Sequence, residues 1–126
     1  ELSFGQWEGL TYQESEAVSS TLYAQIMNGD TSLAPPDGES LEDLIQRVGI
    51  FQARWSQAHL NEENILVVAH GGSLRAILTN SLHLPLSVFW RFQLAPGSVS
   101  ILTIQPNGTT VHSWNDKSHL KAPDVQ

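Results

Sequence analysis

Apolar positions between residues 40 and 60 recur every three or four residues, as they do along one face of a helix. They are Leu41, Leu44, Ile45, Val48, Phe51 and Trp55. Ser40 precedes the first of them and Asp43 follows three residues later, which favours a capped helix start. The pattern predicts a helix over 40–60, a weaker helix over 12–28, and loops over 1–10 and 29–39.

Five apolar residues in a row, 65–69, predict a short strand that is covered on both faces. A helical period follows His70 and is ended by Pro85. The Asn-Gly pair at 107–108 predicts a hairpin between strands 98–104 and 109–114. These elements predict an α/β layer fold. Only about three strands are available, and a covered parallel strand needs two neighbours, so we expect part of the sheet to be absent from this chain.

The bulk composition of the 126 residues is that of a globular chain, with 40% hydrophobic and 15% charged residues. The net charge of −7, with six Lys and Arg in all, excludes nucleic acid and anionic membrane as expected partners. The chain has no cysteine, which fits a cytoplasmic location.

The sequence "LVVAHGGSLRAIL" at 66–78 places His70, Gly71 and Gly72 where a strand gives way to a helix. The first amides of such a helix favour anions, and glycines allow a ligand to approach the backbone. A cationic imidazole there suits a phosphoryl group. Three alternatives remain: His70 closes the strand structurally, it binds a metal, or the stretch is an oxyanion loop of an α/β-hydrolase.

Several stretches together resemble the histidine phosphatases, the phosphoglycerate-mutase-like superfamily. They are "ELSFGQWEGLT" at 1–11, "PPDGESLEDLIQRV" within 35–48, "NILVVAHGGSLRAIL" at 64–78, "FWRFQLAPGSVSIL" at 89–102 and "NDKSHL" at 115–120. The first two are similar to the α-ribazole phosphatase and broad-specificity phosphatase branch. The resemblance implies a three-layer sandwich with a mostly parallel central sheet flanked by helices. Residues 1–126 would be the carboxyl-terminal two-thirds of one such domain, with the first strand and its Arg-His-Gly loop absent.

The resemblance also implies a phosphohistidine mechanism without a metal or other cofactor. A nucleophilic histidine from the Arg-His-Gly motif, which these residues do not contain, would accept the phosphoryl group before water attacks it. His70 matches the family's second histidine, and Gly71 matches the position whose N–H faces the phosphate. Glu1 matches the acid that protonates the leaving oxygen, a role that requires a raised pKa. Trp7 and Glu8 lie near this acid in sequence, and we expect them either to line the substrate pocket or to pack against neighbouring residues.

The function expected from this resemblance is hydrolysis of a small phosphorylated metabolite, with inorganic phosphate as product. Mutase-type phosphoryl transfer and a non-catalytic anion-binding module remain as alternatives. The segment 11–38 matches the family's variable lid, and it contains no Lys or Arg, which disfavours substrates with several phosphates. The 126 residues alone are expected to be inactive. A missing amino-terminal segment or a second copy of the chain would complete the sheet. Arg75 is expected to pair with a carboxylate.

Overall fold

The structure, a computed structural model, describes residues 1–58 and 64–120. Its helices and strands in chain order are α1 (Tyr12–Val18), α2 (Ser20–Met27), α3 (Leu41–Ala58), α4 (Gly71–Ser81), β1 (Val99–Gln105) and β2 (Gly108–Asp116). Short 3-10 helices lie at Gly5–Trp7 and Leu86–Arg91. Among the described residues, no helix combines the length and the apolar character needed to cross a membrane.

Helix α3 begins where the sequence predicts. The Ser40 hydroxyl accepts from the Asp43 N–H at 3.1 Å, and the Asp43 carboxylate accepts from the Ser40 N–H at 3.1 Å. This reciprocal capping box satisfies two backbone donors at the helix start. The predicted helix end at 59–60 lies outside the described residues.

The prediction of a single helix over 12–28 is wrong, because the helix is interrupted at Ser19. That residue takes φ −150° and ψ 62°, which is not helical, and it both ends α1 and precedes α2. Serine favours non-helical backbone because its hydroxyl competes for backbone groups, and two serines adjoin here. Thr11 starts α1 with a complete capping box to Glu14.

Helices α3 and α4 pack against each other and form the core with the 3-10 helix that follows α4. The buried members of this cluster are Leu41, Leu44, Val48, Ala76, Ile77 and Phe89. Amide side chains also join the two helices. Asn80 donates to the Ile45 carbonyl at 3.1 Å and to Gln52, and Gln52 donates to the Ser81 hydroxyl at 2.9 Å. These contacts fix α4, and therefore the residues at its amino-terminal end, against α3.

The strand predicted at 65–69 does not form in the described chain, because it has no hydrogen-bonded neighbour. Val67 packs on the core, whereas Leu66 is 89% exposed and Val68 is 88% exposed. Val67 is thus the one side chain of 65–69 that is not exposed, and it lies between two neighbours that point to solvent. The expected coverage of both faces is also wrong.

The predicted hairpin is confirmed. β1 and β2 pair antiparallel and form the only sheet within the described residues. Gln105 pairs with Gly108, so the two-residue turn is Pro106–Asn107, one position earlier than the Asn-Gly pair suggests. Neither turn residue has a positive φ, and proline suits the first position of such a turn because its ring fixes φ at a negative value.

The first residues of the chain are bound to the loop before α3. The Ser3 carbonyl accepts from the Glu39 N–H at 2.9 Å, and the Pro36 carbonyl accepts from the Gln6 N–H at 2.9 Å. Gly5 has φ +51°, and a Cβ there would overlap the Pro36 carbonyl, so both conformation and space require glycine. This pairing places Glu1 beside α3 and α4.

Candidate active site

His70 occupies the N-cap position of α4, with extended backbone (φ −97°, ψ 168°). Its side chain makes no capping hydrogen bond and is exposed, so the imidazole is available to a ligand. The Gly71 N–H that follows has no acceptor among residues 1–58 and 64–120. An exposed imidazole and an amide without an acceptor in the described ranges therefore lie together at the positive end of the helix dipole.

Glu1 reaches the same helix end from the other end of the sequence. The Gly72 N–H donates to Glu1 Oε2 at 3.1 Å, and the Leu2 N–H donates to Oε1 at 2.8 Å. A Cβ on residue 72 would overlap the Glu1 carboxylate, so this approach requires glycine. The structure thus brings Glu1, His70 and Gly71 to one place.

The pKa of the Glu1 carboxyl is lowered by its surroundings. Burial acts to raise this pKa, because a buried charge loses hydration. The N–H groups of Gly72 and Leu2 act against burial, as does a charged His70. Together they hold the pKa of Glu1 below its ordinary value. The Glu1 carboxyl as it lies here therefore does not have the raised pKa that the role of proton donor asks for.

A cation on α3 holds the backbone of Glu1. Arg47 donates from Nε and Nη2 to the Glu39 carboxylate at 2.8 and 2.9 Å. Its Nη2 also donates to the Glu1 carbonyl oxygen at 3.1 Å. The guanidinium holds the pKa of Glu39 below its ordinary value, against the effects of burial and of Asp43. The sequence analysis missed Arg47, because residues 46 positions apart show no spacing signal.

The expectation that Arg75 pairs with a carboxylate is wrong. Its Nε donates to the Phe92 carbonyl at 2.6 Å, and its guanidinium lies 5.6 Å from the centre of the Trp90 ring. Because a helical side chain leans toward the amino terminus, Arg75 lies over the residue four positions earlier. Its Nη1 is 3.1 Å from the point that a Cβ on Gly71 would occupy. Positive charge is therefore present beside the Gly71 amide.

Trp7 and Glu8 lie close to Glu1 in sequence, and each is held by its own neighbours. Trp7 is 6% exposed and packs against Tyr23 of α2, with ring centres 5.6 Å apart. Glu8 is exposed, and its carboxylate accepts from the Phe4 N–H at 3.3 Å. Trp7 thus joins helix α2 to the amino-terminal loop. A pocket-lining role for either residue stays a prediction.

Two cavities lie along α3 and α4. One of about 290 Å³ is lined by Arg47, Phe51, Val68, Ser73 and their neighbours, and it adjoins the turn that carries His70. The larger, about 470 Å³, lies between the helices and the hairpin turn and is not lined by Glu1, His70 or Gly71. The candidate site therefore adjoins the smaller of these two cavities and not the larger one. In the described part of the chain, no three acidic or histidine side chains group as metal ligands.

The sequence of the chain is similar to those of several known proteins. The sequence model for the histidine phosphatase superfamily (branch 1) matches residues 1–117. A bifunctional protein of Mycobacterium tuberculosis is 32% identical over 121 residues, which are 95% of this chain and 33% of that protein. The adenosylcobalamin/alpha-ribazole phosphatase of Escherichia coli is 28% identical over 118 residues, 94% of this chain and 58% of that enzyme.

Solved structures confirm the α/β fold. The alpha-ribazole phosphatase of Shigella flexneri superposes with a TM-score of 0.81 at 28% identity, covering 92% of this chain and 57% of that one. The chain therefore spans between a third and three-fifths of the length of these relatives.

Proposed function

Because the chain belongs to branch 1 of the histidine phosphatase superfamily, we propose that it contributes two parts of a phosphomonoesterase active site. These are the phosphate-binding residues His70 and Gly71 and the acid Glu1. The substrate is a small phosphorylated metabolite, and the product phosphate is released from the same phosphate-binding residues. One observation carries this proposal: the Glu1 carboxylate hydrogen-bonds the amino-terminal turn of α4, beside the exposed imidazole of His70.

His70 and Gly71 bind the transferring phosphoryl group in this proposal. The Gly71 N–H donates to a phosphoryl oxygen, and the dipole of α4 favours the negative charge. A protonated His70 stabilises the charge that builds up on those oxygens in the transition state. The guanidinium of Arg75, close to Gly71, adds to the positive potential.

Glu1 donates a proton to the leaving oxygen and then accepts one from the attacking water. A dianionic phosphoryl group bound at His70 and Gly71 raises the pKa of the nearby carboxyl, because like charges disfavour ionisation. Substrate binding itself thereby protonates the acid before it is needed. For that reason, the lowered pKa of Glu1 in the absence of substrate is compatible with its role as proton donor.

The phosphoryl-accepting histidine lies, in this proposal, in polypeptide outside the 126 residues. The exposed side chains of Leu66 and Val68 and the groove of about 290 Å³ beside them offer an apolar surface for flanking strands. The Shigella enzyme, 57% of which this chain covers, is long enough to supply such strands within one chain. An upstream segment is our preferred source, and a second copy of the chain is the alternative.

The lid segment favours hydrolysis over mutase chemistry. Residues 11–38 contain no Lys or Arg, and they hold Glu14, Glu16, Asp30 and Asp37. A substrate with a second phosphate would meet acidic groups there without a compensating cation. The proposed substrate therefore carries one phosphate.

The test is hydrolysis of p-nitrophenyl phosphate by the full-length gene product, with and without a chelator. His70→Asn removes the proposed cation at the start of α4. His83→Asn makes the same change just beyond the other end of the helix, where His83 is exposed at φ +51°, a conformation that asparagine tolerates.

The proposal expects turnover that ignores the chelator, falls about a hundredfold or more in His70→Asn, and persists in His83→Asn. No turnover by the full-length protein would overturn it in favour of an anion-binding module. Turnover abolished by the chelator would overturn it in favour of a metal-dependent hydrolase.

A further inference from the structure

The Glu1 peptide group is held at three points around the start of α4. The Leu2 side chain packs on the core between α3 and α4. The Glu1 carboxylate accepts from Gly72, and the Glu1 carbonyl accepts from Arg47. The Leu2 N–H of this same planar group donates to Glu1 Oε1 at 2.8 Å, and Arg47 adds the contact that ties the carbonyl side of the group to α3.

Arg47 is itself oriented before it reaches Glu1. Its two hydrogen bonds to Glu39 form a planar fork, the geometry that a guanidinium makes best with a carboxylate. Nη2 carries two hydrogens, of which one goes to Glu39 and the other to Glu1. The Glu39 backbone is tied to the same amino-terminal loop by its N–H bond to Ser3. Arg47 and Glu39 thus bind each other, and each also binds the backbone of residues 1–3.

We propose that Arg47 is a positioning residue, which holds the Glu1 peptide group so that the Glu1 carboxylate meets the amino-terminal turn of α4. It touches the carbonyl of Glu1 and acts on the reaction only through that residue. The catalytic part of this inference rests on the proposed function, whereas the positioning part rests on geometry alone.

The charged groups that face Glu1 come from two places. Arg47 faces it from α3, and His70 faces it from the start of α4. Glu39 faces it indirectly, through Arg47. Loss of the Arg47 cation therefore removes both a hydrogen bond to the backbone and one of the charges that favour ionised Glu1.

The first experiment is an NMR pH titration of the full-length protein, following the Gly72 amide resonance. That N–H donates to the Glu1 carboxylate, so its chemical shift reports ionisation of Glu1. Arg47→Ala should raise the midpoint and reduce the amplitude of this titration. Arg47→Lys keeps the charge without the fork, so the amplitude should fall while the midpoint changes less. Arg54→Ala, an exposed arginine two turns further along α3, is the matched control and should change neither.

Glu39→Gln is a second route to the same result if Arg47→Ala folds poorly. It leaves the arginine in place and weakens its anchor, so the same changes should follow with smaller size. A Gly72 titration in Arg47→Ala or Glu39→Gln that matches the parent in midpoint and amplitude would overturn the positioning role.

Steady-state kinetics with p-nitrophenyl phosphate separate this inference from the proposed function. Arg47→Ala should lower kcat about tenfold to a hundredfold, with a much smaller change in KM, because a misplaced acid slows chemistry more than binding. An altered Gly72 titration with no activity in any variant would leave the positioning role standing and the phosphatase proposal refuted. Normal kinetics with an unaltered titration would refute the positioning role and leave the phosphatase standing.

Discussion

The Gly72 N–H donates to the carboxylate of Glu1, 71 positions earlier in the chain, at 3.1 Å. This contact joins the amino-terminal loop to the first turn of α4, where His70 and Gly71 also lie. It exists because residue 72 has no side chain, since a Cβ would take the place of the carboxylate. The geometry of the candidate site therefore depends on a single glycine.

Gly72→Ala should displace Glu1 and abolish most phosphatase activity of the full-length protein. Stability should change little, because the overlapping group is the end of a flexible side chain that can move aside, and alanine favours helix. Gly49→Ala on α3 is the control, because its Cβ would lie at an ordinary 3.4 Å from Asn80, and alanine favours helix. Activity and urea unfolding measured together check both effects. Equal activity in the two variants would contradict the prediction.

Stability should fall as pH drops below the ordinary range of glutamate. Glu39 has a lowered pKa chiefly because of its hydrogen bonds to Arg47, so at low pH the unfolded chain binds a proton that the folded chain resists. The resulting stabilisation is complete above about pH 5 and is lost as pH falls through the folded pKa. Urea midpoints measured from pH 7 to pH 3 test this.

In that series Glu39→Gln should be less stable than the parent at pH 7 and should show a weaker dependence on pH. Glu16→Gln, at an exposed position on α1, should follow the parent curve. A Glu39→Gln curve that runs parallel to the parent at every pH would refute the role given to the pair.

Ser40→Ala should cost about 1 kcal/mol of stability, because it removes the hydroxyl that caps α3. Ser56→Ala on the exposed side of the same helix should change stability by a few tenths at most. Thermal unfolding of both variants provides the measurement. A loss in Ser56→Ala as large as that in Ser40→Ala would show that the capping box is not the cause.

Local signals predicted the elements whose stability is local. The helical period and the Ser40–Asp43 pair gave the start of α3, and the turn residues gave the hairpin. The break at Ser19 escaped this reasoning, because the weak apolar period runs through it. The strand at 65–69 failed for a different reason, since a strand forms only where a neighbouring backbone pairs with it.

The site also contains residues that the sequence indicated and residues that it did not. The strand-to-helix pattern singled out His70 and Gly71, and the family resemblance added Glu1. The Arg47–Glu39 pair carried no signal in sequence, because Glu39 precedes the helix that holds Arg47 and the shared partner is residue 1. Such contacts depend on how the amino-terminal loop folds back onto α3. The spacing of apolar residues along the chain carries no information on that.

The exposed apolar side chains at 66 and 68 lead to a last prediction, about association of the 126-residue chain. Leu66 and Val68 are 89% and 88% exposed on a segment without strand partners, a combination typical of surfaces that pair with other chains. The 126-residue chain should therefore associate with increasing concentration, as measured by sedimentation velocity. Val68→Asp should weaken association by placing a charge on this surface.

Ile50→Asp is the control for that experiment, since Ile50 is 51% exposed on α3 and outside the segment. If any exposed apolar residue drives association, the two substitutions should act equally, and the special role of 65–69 is refuted. In the full-length protein, Val68→Asp should lower stability where Ile50→Asp does not. The reason is that the proposed flanking strands would bury the new carboxylate without a partner, which costs more than exposing it to water.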